Sequence, residues 1–215
     1  MRPELIIFDC DGVLVDSEFV ASRVVAANLS SLGWPLDAAA AMRMFVGMSI
    51  LEMEPIIEGR LRRRLPEGWR QNLADELVAA LLQEAELVPG AREMLERVNR
   101  LGIPWRVASN SSDEEMAVKF RRTGLEDLTA GLTFAAMRVG RPKPAPDVYL
   151  AAAADAGAAP ARCLVLEDSK LGVEGAVAAG MVCYGYAAHD DGAHLLAAGA
   201  TGVLGKLDEL FGVLT

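Results

Sequence analysis

The chain has 215 residues, 52% hydrophobic and 24% charged, with a formal net charge of −9 at pH 7. So apolar a composition excludes wholesale disorder, and the length allows one large domain or a medium domain carrying a smaller one. The acidic balance argues against broad nucleic-acid binding, yet leaves anionic substrates open, because a local cation or a bound metal overrides the global field.

The chain opens on the apolar run Leu5–Phe8, which reads as a buried strand, with no basic or cleavage-like leader before it. Residues 18–32 then show helical periodicity, stopped by Gly33 and Pro35. Leu36-Asp37 opens an alanine- and methionine-rich helix, and residues 49–64 and 72–86 read as helices too. No β-branched run occurs across 17–85, so an all-helical insert is expected after the first strand. The basic run at 60–64 reads as a solvated helix face.

From residue 91 strand-like and helix-like segments alternate. Apolar runs at 104–108, 163–166 and 181–186 read as parallel strands, and 91–100, 113–123, 147–156 and 171–179 as helices. That alternation predicts an α/β sheet with helices on both faces. The longest glycine-diluted apolar stretch, 175–188, is shorter than the roughly 18 residues of a membrane span. Cys10, Cys163 and Cys183 are odd in number, form no C-x-x-C, and lie in or beside strand-like segments. They are expected to be reduced, buried thiols of a cytosolic protein. His189 and His194 are expected to have surface or capping roles.

Four motifs carry chemistry. In the first, Asp9-Cys10-Asp11-Gly12 ends an apolar strand. Residues i and i+2 of an extended chain point to the same side, and carboxyl ends of parallel strands are where such sheets bind ligands. Two close carboxylates are costly unless a cation or proton is shared, which a bound Mg²⁺ would resolve. A calcium loop fails, because Val13, Leu14 and Val20 occupy its ligand and glycine positions. The second motif, Ser109-Asn110-Ser111-Ser112, follows a strand and precedes a helix, and it offers a hydroxyl and backbone N–H groups to an anion or else a plain N-cap at Ser111 or Ser112. In the third, Pro142 and Pro144 hold Lys143 in a stiff loop suited to a point-charge contact with phosphate. The fourth, Glu167-Asp168-Ser169, again ends a strand with acids, read as a third carboxylate of a metal site or as an N-cap at Asp168 or Ser169.

Asp9, Asp11, Glu167 and Asp168 together would repel a phosphate dianion. A divalent metal, Lys143 and the serine–amide cradle would make the same crevice attractive to it. One aspartate can then attack phosphorus while a second protonates the leaving oxygen and later deprotonates water.

In these four motifs and their order the chain resembles the haloacid dehalogenase-like (HAD) superfamily, in its β-phosphoglucomutase and sugar-phosphatase branch. The resemblance implies a Rossmann-like three-layer core with a parallel sheet, residues 1–16 and 86–215, and an inserted helical cap, 17–85. It implies Mg²⁺ as cofactor and Asp9 as nucleophile and metal ligand. Asp11 becomes the general acid/base, with its backbone carbonyl on the metal. Asp168 becomes a metal ligand, and Glu167 a direct or water-mediated one. Ser109, the Asn110 backbone and Lys143 would hold the phosphate.

The family's dehalogenases lack the second aspartate of the first motif, so Asp11 favours phosphoryl chemistry. Its mutases carry a histidine and an arginine where this chain has Ala21 and Ile50. The expected activity is therefore hydrolysis of a small phosphorylated metabolite, a sugar phosphate, through an aspartyl-phosphate. A phosphosugar mutase and a phospho-metabolite-binding regulatory protein are the alternatives. Glu18, Gly47, Met48 and Ser49 are expected on the cap side of the substrate, although Glu18 also fits as a first-turn acid facing the helix dipole. The expected partner is the small substrate alone, with no nucleic acid or membrane, and the expected state is a monomer.

Overall fold

A computed structural model describes residues 2–214. In chain order the first elements are β1 (Leu5–Phe8), β2 (Val15–Asp16), α1 (Glu18–Ser31), α2 (Ala38–Phe45), α3 (Ile50–Leu61), α4 (Trp69–Glu84) and β3 (Glu86–Leu87). There follow α5 (Ala91–Arg100), β4 (Trp105–Ser109), α6 (Asp113–Thr123), α7 (Glu126–Thr129), β5 (Thr133–Ala135), α8 (Ala136–Val139) and α9 (Asp147–Asp155). The chain ends with β6 (Cys163–Glu167), α10 (Lys170–Ala178), β7 (Val182–Tyr186), α11 (Ala193–Ala197), β8 (Gly202–Leu204) and α12 (Leu210–Val213).

Six strands form one parallel sheet in the order β5-β4-β1-β6-β7-β8. The central strand β1 is buried on both faces, as a continuous apolar run in a parallel sheet should be. Its side chains alternate between two cores. Ile6 and Phe8 join one with Met94, Leu95, Met116 and Phe120 of α5 and α6. Leu5 and Ile7 join the other with Tyr149 of α9 and Val173 of α10. Helices thus cover both faces, giving the three-layer α/β architecture.

The register aligns the carboxyl ends. Phe8 pairs with Val107 on one side and Leu166 on the other. Asp9, Ser109 and Glu167 therefore arrive at the same edge.

Residues 18–84 hold only helices, and their apolar residues, among them Leu29, Ile57, Leu73 and Leu81, continue the first core. The stretch is entered and left through a two-strand antiparallel ribbon pairing Val15 with Leu87 and Asp16 with Glu86. The fourth helix begins at Trp69, three residues before its expected start, because Trp69 is buried and its indole N–H donates to Asn28. The arginines of the 60–64 run are exposed, but α3 ends at Leu61, so Arg62, Arg63 and Arg64 lie beyond the helix rather than on its face. No helix of the described residues is long and apolar enough to cross a membrane.

Candidate active site

Asp9 leaves β1 buried, only 6% exposed. Its Oδ1 accepts from Lys143 Nζ at 2.7 Å. Lys143, 3% exposed, gives its other two protons to Ala108 O at 2.9 Å and Glu167 Oε1 at 2.5 Å. The loop that carries it has a cis peptide bond between Lys143 and Pro144. Glu167 is fully buried and anchored further by the Tyr149 hydroxyl at 2.7 Å and by the Ser169 hydroxyl and backbone N–H. Gly172 makes room for it, because a Cβ there would overlap the Glu167 carboxylate.

Asp168 makes no hydrogen bond to any described residue. Its carboxylate occupies the space a Cβ on Gly12 would fill, and Gly12 sits at φ +72°, the left-handed turn expected after the first motif. Oxygens of Asp9, Glu167 and Asp168 lie within 4.8 Å of one another. Burial, then the charge of Glu167, pushes Asp9 up to about 8 despite Lys143. Burial and then Glu18 and Asp9 raise Asp168 well above the carboxylate range. Three carboxylates thus face one ammonium. Oxygen donors with surplus negative charge fit a hard divalent cation such as Mg²⁺. Asp168 and the second oxygen of Asp9 are open to it, and Glu167 belongs to the same cluster while its oxygens accept from Lys143, Tyr149 and Ser169.

Asp11 has a different environment. Its Oδ1 accepts from Lys119 Nζ at 2.6 Å and from the Ser17 hydroxyl, and its Oδ2 from Ser111 Oγ at 2.8 Å and Ser109 Oγ at 3.3 Å. Burial would raise Asp11, but the Lys119 charge and the hydrogen bonds of Lys119, Ser17 and Ser111 outweigh it and hold the carboxyl below its ordinary value. Lys119 is 3% exposed, and Asp11 raises its affinity for a proton against the opposing cost of burial. Sequence reading passed over Lys119. The available signal was its place three residues from Met116 and one from Phe120, on the buried stripe of α6.

Two of the four candidate N-caps cap a helix. Ser112 caps α6 in a reciprocal pair with Glu115, and Ser169 caps α10 through Gly172 N. Ser111 and Asp168 remain free of capping. Ser17 precedes α1 but does not cap it, its hydroxyl being turned to Asp11.

Asn110 links two loops. Its Nδ2 donates to Gly47 O at 2.8 Å and its Oδ1 accepts from Lys143 N at 2.8 Å. A cleft of about 900 Å³ of empty space, its open mouth included, brings together Asp9, Asp11, Ser109, Asn110, Lys143 and Asp168. Glu18, Gly47, Met48 and Ser49 line the same cleft from the helical side. Ser49 starts α3, and its hydroxyl is engaged by Glu52. Glu18 is half-buried and has no hydrogen-bond partner among the described residues, and burial followed by Asp11 and Asp16 pushes it up to about 7. Glu167 is the one sequence-selected residue that does not reach the cleft wall.

The family model for haloacid dehalogenase-like hydrolases matches residues 3–180. A protein of Thermotoga maritima named phosphorylated carbohydrates phosphatase is 33% identical over 98% of both chains. The 6-phosphogluconate phosphatase of Escherichia coli is 27% identical over 87% of this chain and 84% of its own. Among solved structures, a HAD family hydrolase of Deinococcus radiodurans with bound phosphate and sodium superposes with a TM-score of 0.78. It is 31% identical, over 99% of this chain and 95% of that one.

Proposed function

The chain belongs to the haloacid dehalogenase-like hydrolases, and from that footing we propose that it is a Mg²⁺-dependent phosphatase of a small sugar phosphate, working through an aspartyl-phosphate on Asp9. The observation that carries this reading is that two carboxylates of one cleft are held by two different lysines, Asp9 by Lys143 and Asp11 by Lys119. Carboxylates in unlike environments serve unlike roles. The curated relatives named as phosphatases support phosphoric monoester hydrolysis over the mutase and binding-protein alternatives.

In this reading Asp9 attacks phosphorus. Asp9 and Asp168, with the backbone carbonyl of Asp11, would hold the metal, which would supply positive charge against the negative phosphoryl oxygens. Lys143 and the Ser109–Asn110 turn supply further positive potential and donors to the same oxygens. Asp11, held below its ordinary value in the free site, takes up the proton that a monoanionic ester brings on its phosphoryl oxygen, gives it to the leaving oxygen, and then takes a proton from the water that opens the acyl phosphate. Glu167 fixes the Lys143 ammonium beside Asp9. Residues 17–85 act as the cap that closes over the bound ester and excludes bulk water.

The test is phosphate release from sugar phosphates with Mg²⁺ and with a chelator, alongside acid-quench trapping of labelled phosphate on the chain. Wild type should release phosphate only with metal and carry hydroxylamine-sensitive label. Asp9→Asn should lose both. Full turnover by Asp9→Asn would refute the assignment.

A further inference from the structure

The part of the cleft that meets the leaving group is unusual in its charge. Of the residues that 18–84 contribute to its wall, Glu18 is the one ionisable group among those described. Around it stand apolar side chains, including Val25, Phe45, Met48, Ile50 and Met53. The two lysines that reach the cleft are already spent, Lys143 on Asp9 and Glu167, Lys119 on Asp11. None of the arginines of the same helical stretch lines the cleft. Arg60 lies over the Trp34 ring, Arg63 donates to Leu32 O, and Arg64 pairs with Glu58.

We propose that this half of the cleft selects phosphomonoesters whose leaving group is uncharged and hydroxyl-bearing, and rejects those that carry a second carboxylate or phosphate. The proposal rests on the phosphatase reading above and names the substrate class of that site. A second anion would enter without a cationic partner and would face Glu18, Asp11 and Glu115. Burying a charge unpaired is among the costliest mismatches a site can present. A hydroxyl-bearing group meets the opposite situation. Glu18 has both carboxylate oxygens free of described hydrogen-bond donors and open to the leaving group's hydroxyls as acceptors, while the apolar wall packs against the carbon skeleton. The specificity-determining residue is therefore Glu18, and its setting departs from what a phosphorylated sugar acid needs.

Hexitol 6-phosphate and 6-phosphogluconate make an isosteric pair, differing in a terminal CH2OH or carboxylate. With Mg²⁺ at pH 8, kcat/KM should favour the hexitol ester by about a hundredfold or more. Glu18→Gln should lower that ratio about tenfold by removing the repulsion, and Met48→Lys should lower it by supplying a cation. Calorimetric titration of Asp9→Asn with both compounds reads the same preference without turnover. Equal affinity, or preference for the sugar acid, in either assay overturns the proposal. Preferential binding of the hexitol ester with no hydrolysis by wild type upholds the selectivity and removes the phosphatase reading instead. If neither compound binds or reacts, the proposal falls, and hydrolysis of p-nitrophenyl phosphate then shows whether the phosphatase reading survives without it.

Discussion

The ammonium of Lys119 lies 2.6 Å from Oδ1 of Asp11, and both groups also contact the hydroxyl of Ser111. One buried helix residue thereby fixes the orientation and charge of the proposed proton donor. Lys119→Met leaves Asp11 without its counter-charge. Losing one partner of a buried pair costs ~3–5 kcal/mol, and the partial exposure of Asp11 puts this case at the lower end. Adding Asp11→Asn should recover most of the loss, which a double-mutant cycle in urea would measure. Activity should fall more on alkyl phosphates, whose leaving oxygen needs a proton, than on aryl phosphates, which leave without one.

The same pair sets a pH window. Asp11 is held below its ordinary value, so its contribution is complete above the unfolded carboxylate pKa and disappears as pH falls through the folded one. Lys119 is raised, so its contribution is complete below the unfolded lysine pKa and disappears as pH rises through the folded one. The stability lost on Lys119→Met should therefore be constant across neutral pH and shrink in acid, as thermal melts from pH 3 to 8 would show.

Asp9 behaves in the opposite sense. Its folded value of about 8 lies above the ordinary carboxylate, so the metal-free protein takes up a proton on folding. Its stability should decline as pH rises from the unfolded carboxylate pKa to about 8. A cation bound by Asp9 and Asp168 reverses that penalty. The rise in melting temperature on adding Mg²⁺ should grow between pH 5 and 8 and be absent in Asp168→Asn. An increment independent of pH would refute the coupling.

Gly172 is as constrained as any residue of the site. Alanine there meets the Glu167 carboxylate, which Lys143, Tyr149 and Ser169 hold in place. Gly172→Ala should destabilise the protein by ~1–3 kcal/mol through overpacking. It should lower kcat more than it raises KM, since it moves Lys143 rather than the leaving-group wall. Urea unfolding and steady-state kinetics together check both.

The three cysteines are free and almost wholly buried, and burial pushes all three thiols up, most strongly at Cys10 and Cys183. A thiol reagent should label none at an appreciable rate in the native protein and all three after denaturation.

The sequence was most legible where one physical signal dominated. β1, β4, β6 and β7 are continuous apolar runs, and their expected limits agree with the structure to within a residue or two. The edge strands β5 and β8 went unread because three residues, Thr133–Ala135 and Gly202–Leu204, are too few to show a period. The β2–β3 ribbon is shorter still and exists through pairing across the whole helical stretch. At the site, acids ending strands announced themselves by position. Lys119, Ser17 and Tyr149 did not, because each is an ordinary helix or cap residue until the fold brings Asp11 or Glu167 to it. Glu167, expected as a direct or water-mediated ligand, is fully buried at the end of β6 with an oxygen in the same cluster as Asp9 and Asp168, and its partners Tyr149 and Lys143 were not visible in its own motif.

The pairing of Val15 with Leu87 makes residues 17–85 a detour that starts and finishes at one point. The parallel sheet is threaded as though a single turn stood there, and a longer or different detour adds only the slowly growing entropy of loop closure. The helical side of the cleft is thus written in one uninterrupted stretch of chain, while Asp9, Ser109 and Asp168 come from the ends of β1, β4 and β6. Under the cap reading proposed above, the helical wall can be exchanged as a block while the strand-end residues stay where the sheet puts them.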